Sequence, residues 1–124
     1  MSKPVPFDFV LEKLFRLQPT VKPMFGCHAV YVNDKIVLVL RKKDDEGFDN
    51  GVWLATSGEH HDSLRSQFPS LRSIRVFGGG ETEWQNIPFD SVDFEESVTT
   101  ACELILKNDP RIGRIPRKKK TGAK

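Results

Sequence analysis

The chain has 124 residues, 38% of them hydrophobic and 29% charged, with nine Phe and two Trp. That length and composition suit one ordinary domain with its own core and exclude a disordered or fibrous chain. The formal charge of +2 conceals a division: seven basic and no acidic residues lie in 111–124, leaving twelve basic against seventeen acidic side chains in 1–110. An acidic domain over 1–110 is therefore expected to carry a basic C-terminal tail over 111–124.

Met1-Ser2-Lys3-Pro4 lacks the basic-then-apolar pattern of a signal peptide, and the longest apolar run, residues 36–40, is too short to cross a bilayer. Phe7, Val10, Leu11, Leu14 and Leu17 then recur at helical spacing, and Pro19 ends that helix. Residues 29–32 and 35–41 read as two strands joined by Asn33-Asp34, a pair that tolerates the positive φ of a tight hairpin. Asp44, Asp45, Glu46, Asp49 and Asn50 lack the spacing of a calcium loop and read as a solvated charged loop. A third strand follows at 52–56. A short helix carrying Leu64 and Phe68 comes next, capped by Ser57 or Gly58 and ended by Pro69. Strands at 71–77 and 83–87 are linked through Gly78-Gly79-Gly80. Residues 92–107, with Phe94, Val98, Ala101, Cys102 and Ile105 on one face, form the last helix before Asn108-Asp109-Pro110. The expectation is an α+β fold in two layers, ordered α-β-β-β-α-β-β-α, with a mainly antiparallel five-stranded sheet and the helices on one face.

Cys27 and Cys102 have no metal-binding spacing, and with no secretory signal they read as reduced, packed thiols of a cytoplasmic protein. His60 and His61 are adjacent and cannot chelate as an i, i+4 pair; they read as solvent-facing. Cys27 and His28 are strand neighbours facing opposite ways, so His28 is poorly placed to take the thiol proton. No nucleophile motif is present, and the glycines at 78–80 are followed by Glu81-Thr82-Glu83, unlike a phosphate loop. No catalytic residue, metal ligand or cofactor is therefore expected. The positive signals are aromatic and cationic. Trp53 and Trp84 lie in strands, where an indole is usually core or half-core, and are the candidate contacts if a partner is bound; Arg117, Lys118, Lys119 and Lys120 can neutralise nucleic-acid phosphates.

Met24-Phe25-Gly26, followed by Tyr31 and Asn33-Asp34-Lys35, resembles the N-terminal domain of the TfoX/Sxy competence-regulator family. Trp84-Gln85-Asn86-Ile87-Pro88 before the last helix resembles an ending shared by that family and the YjbR-like proteins. The similarity spans about residues 7–107, and where the family often repeats glycine after its MFG segment this chain has Cys27 and His28. The resemblance implies a secretion-chaperone-like architecture and a bacterial, non-enzymatic regulatory module without a cofactor. Three readings of function result. The first is a regulatory or interaction domain that binds a protein partner and reaches nucleic acid through its tail. The second is a small metal- or thiol-dependent enzyme using Cys27, His28, His60 and His61. The third is a subunit that self-associates through an exposed sheet edge.

Overall fold

The computed structural model describes residues 5–24, 26–43, 49–75 and 83–115. Its elements are α1 (Phe9–Lys13), a 3-10 turn (Phe15–Leu17), β1 (Thr20–Met24), β2 (Cys27–Val32), β3 (Lys35–Arg41) and β4 (Gly51–Ala55). A 3-10 turn (Gly58–His60), α2 (His61–Gln67), β5 (Arg72–Ser73), β6 (Trp84–Pro88) and α3 (Phe94–Leu106) complete them. The fold is α+β, with an open antiparallel sheet ordered β1-β2-β3-β4-β6-β5.

The described sheet has six strands, not the expected five. The additional one is β1, which pairs with β2 from Thr20↔Tyr31 to Met24↔Cys27. Pro23 conceals it in the sequence, because proline is excluded from central strands and accepted only at edges. The edge is where β1 lies. Met24↔Cys27 closes its hairpin, and Gly26 in that turn has φ +77, a left-handed conformation that favours glycine. The expected strand over 71–77 is represented by Arg72–Ser73 alone among the described residues; residues 76 and 77 and the three glycines lie outside them.

The first helix is also shorter than its apolar stripe implies. Phe7 has φ +55, so the helix cannot start there, and its ring packs 5.3 Å from Phe89 and 5.1 Å from Phe94. Val10 and Leu14 still point inward, as the spacing requires. At the other end of the chain, α3 finishes at Leu106, and just beyond it Asn108, with φ +60, turns the chain while the Asp109 N–H donates back to the Leu104 carbonyl.

All three helices pack on one face of the sheet. Val10 of α1 and Leu14 just after it, Leu64 of α2, and Val98, Ala101, Cys102 and Ile105 of α3 join Val30, Leu38, Leu40, Val52, Leu54 and Ile87 in one core. Strand alternation sends Cys27, Ala29, Val39, Trp53 and Ala55 to the opposite face, where they form a second buried cluster with Ile36 and Ile74. A β-bulge opposite Val30 and Tyr31 breaks the alternation in β3 and brings Ile36 to this second face.

Candidate functional site

The C-terminal segment is built into the sheet rather than beginning as a tail at residue 111. Gly113 and Arg114 lie between the start of β3 and the end of β4. The Gly113 N–H donates to the Ala55 carbonyl at 2.6 Å, while Ile36 and Arg114 exchange two backbone hydrogen bonds at 2.9 Å. Ile112 is 2% exposed and belongs to the helix-side core. Arg111 donates to both Asp109 carboxylate oxygens, to Ser63 Oγ at 2.7 Å and to Gln67 Oε1 at 2.9 Å, tying the segment to α2. These hydrogen bonds hold the Asp109 carboxyl below its ordinary range and raise the Arg111 guanidinium above its own. Arg114 pairs with Glu83.

Two of the seven cations in 111–124 are thus engaged inside the fold, and the cationic run proper starts at Arg117. Arg117, Lys118, Lys119 and Lys120 lie outside the described residues. Ending the chain at residue 110 would remove a core side chain as well as charges. Ile112→Ala alone is expected to cost about 2–4 kcal/mol in urea unfolding. An unchanged midpoint would detach this segment from the core.

On the second face, strand register assembles a polar group. Arg41 is 3% exposed and Asp49 is 0% exposed. Asp49 Oδ1 accepts from Arg72 at 2.9 Å, Oδ2 accepts from the Arg75 backbone N–H at 2.6 Å, and the Asp49 carbonyl accepts from Trp53 Nε1 at 3.0 Å. Asp49 is therefore a buried hub joining β4, β5 and the chain leading into β4, and not part of a solvated loop. Asn50 is likewise fixed, exchanging two hydrogen bonds with the Lys43 backbone. Asp44, Asp45 and Glu46 lie outside the described residues. No periodicity marks Asp49 in the sequence, because its role depends on where β5 lands.

The two aromatic candidates separate. Trp53 is 1% exposed and packs 5.9 Å from Trp84, so its indole is a core group unable to meet a partner. Trp84 is half-buried at the edge of the same cluster.

The residues of the metal or thiol reading are not brought together. Cys27 faces the second cluster, and His28 is the next residue along β2, on the helix side. His60 and His61 sit at the start of α2. His61 is buried, contrary to the solvent-facing expectation, because it shares the inward stripe of Leu64 and Phe68 at i, i+3 and i+7. Among the described residues no three His, Cys, Asp or Glu side chains gather in a metal-binding arrangement.

Burial pushes the Cys27 thiol up, an effect that Arg41 and Lys43 partly offset, and it pushes the Cys102 thiol up to about 12. Neither thiol forms an appreciable thiolate at neutral pH. Both should resist a disulfide reagent at pH 8 until the protein unfolds; fast labelling of Cys27 in the native state would restore the thiol reading.

An open groove of about 450 Å³ lined by Leu11, Phe15, Arg16, Gln18 and Pro19 lies where α1 passes into β1. It offers one cation and one amide on an otherwise apolar wall, with no acid–base pair. The β1 edge is poorly suited to strand pairing. Closure of the hairpin at Met24↔Cys27 turns the main-chain groups of Pro23 outward, where proline has no N–H to give a second strand, and Lys22 adds charge beside it.

Among the described residues no helix is long and apolar enough to cross a membrane. Compared with known proteins, the chain matches no family model, no curated protein and no solved structure.

Proposed function

We propose that this chain is a non-catalytic interaction domain of the TfoX N-terminal kind that attaches to nucleic acid through the cations after Ile115. The observation that carries this reading is the anchored root of the run. Ile112 and Arg114 hold the chain at the β3/β4 end of the sheet, so the charges that follow issue from a fixed point on a rigid body. Residues 1–115 hold fourteen basic and seventeen acidic side chains, so the body itself repels a polyanion. The five cations beyond it, with no acid among them, supply the attraction. The relation to the TfoX family is supported by the placement of its short motifs. Met24 and Gly26 stand at the first hairpin, and Trp84 to Pro88 form the strand before the last helix.

The test is binding of duplex and single-stranded nucleic acid across a salt series. The full chain is compared with a chain ending at Ile115 and with the quadruple variant Arg117→Ala, Lys118→Ala, Lys119→Ala, Lys120→Ala. The variant is expected to lower the steepness of log K against log salt on duplex by about 3–4, since each phosphate contact contributes about 0.9. The domain's own unfolding should not change. Equal affinity and equal slope for variant and parent would end the nucleic-acid reading.

A further inference from the structure

The chain passes from α1 into β1 through the 3-10 turn Phe15–Leu17 and Gln18, and this passage leaves the open groove of about 450 Å³ lined by Leu11, Phe15, Arg16, Gln18 and Pro19. Its volume lies within the range of about 300–1,000 Å³ common to small-molecule clefts. Phe15 is 77% exposed at its wall, although the preceding residue, Leu14, is fully buried in the core. The ring therefore keeps most of its apolar area available for contact. Gln18 has φ +53, a left-handed conformation that glycine adopts at lower cost. Glutamine at that place accepts the strain and brings an amide to the groove, which glycine would not.

The charge of the groove is the opposite of that of the body. Residues 13–22 include Lys13, Arg16 and Lys22 and no acid, whereas residues 1–115 hold fourteen basic against seventeen acidic side chains. Arg16 lines the groove, is exposed, and has no acidic partner among the described residues. We propose that this groove binds a small amphipathic carboxylate, an aromatic or branched apolar body bearing one carboxyl group. The guanidinium presents paired N–H donors that match the two carboxylate oxygens, and the Gln18 amide adds a further donor. Leu11, Phe15 and Pro19 supply the wall for the apolar body. A cationic ligand meets Arg16 with no acid on the wall to offset it, and an uncharged apolar ligand gains nothing from the guanidinium.

Amide chemical shifts of the full chain in a titration with phenylbutyrate, and in parallel with phenylbutanol, test the proposal. The acid is expected to saturate with a Kd of about 1 mM or below, with the shifts centred on residues 11–20. The alcohol, with the same body and no charge, should bind about fivefold more weakly. Arg16→Gln should remove that preference and leave the alcohol unchanged, while Phe15→Ala should weaken both ligands. Both side chains are exposed, so each variant should keep the urea midpoint of the parent. Failure of the acid to saturate by about 10 mM would overturn the proposal, as would shifts centred outside the groove. Equal binding of acid and alcohol, or a preference that survives Arg16→Gln, would overturn it as well. So would movement of the same signals on dilution of the ligand-free protein, which would seat a second copy of the chain on the groove.

Discussion

Replacing Asp49 by alanine is expected to cost about 3–5 kcal/mol of stability, a large fraction of the total for a domain of this size. The carboxylate is 0% exposed and accepts from Arg72 at 2.9 Å and from the Arg75 N–H at 2.6 Å. Alanine would strip both donors of this acceptor and take the carboxylate away from the Arg72 guanidinium, which is only 27% exposed. Removing one member of a buried pair costs more than the pair contributes, because the surviving charge keeps its desolvation penalty. Asp49→Asn should cost less, since the amide oxygen still accepts one of the two bonds. Urea unfolding of both variants measures the difference. An Asp49→Ala midpoint equal to that of the parent would mean that β5 is held to the sheet without this hub.

Gly51→Ala should cost about 3 kcal/mol or more, or prevent folding altogether. Gly51 has φ +148, where a side chain is strained, and an added Cβ would stand 2.1 Å from the Ile87 carbonyl oxygen. The clash is with the backbone of the neighbouring central strand, which cannot turn aside as a flexible side chain does. Gly58→Ala is the control. Nothing lies within 4 Å of a Cβ there, so that variant should unfold within about 0.5 kcal/mol of the parent. Equal losses at the two positions would show that loss of glycine flexibility, and not the close approach at β4, sets the cost.

If both variants behave as expected, the second face is as much a part of the stability of this domain as the helix-packed face. That affects how binding experiments are designed. Variants meant to probe recognition should avoid Trp53, Asp49 and Ile112, which support the fold, and should alter the cations after Ile115. A chain ending at residue 110 would lose Ile112 and the Arg111 network together, and a loss of binding in it would report unfolding.

Local patterns were legible where a single element carries its own signal. The nearly unbroken apolar run within residues 35–41, the Asn33-Asp34 turn and the apolar stripe of α3 each correspond to an observed element, and Cys102 lies in the core as its place on that stripe implies. The unlike orientations of Cys27 and His28 also follow from strand alternation alone. The strand β1 was not legible, because Pro23 argues against a strand unless its edge position is already known. Trp53 reads equally as a core group and as a partner contact, because alternation assigns a residue to a face without saying whether that face is covered; its burial decides for the core.

What the sequence determined by itself is the α+β class, the central hairpin, the inward faces of the helices and the cationic run at the C-terminus. These depend on periodicities of two and 3.6 residues and on local charge, which need no knowledge of distant partners. Only the tertiary structure decided the burial of the second face, the hub at Asp49 and the insertion of Ile112 to Arg114 between β3 and β4. Each of these joins residues far apart in the chain, and no local pattern announces which segment will arrive beside which.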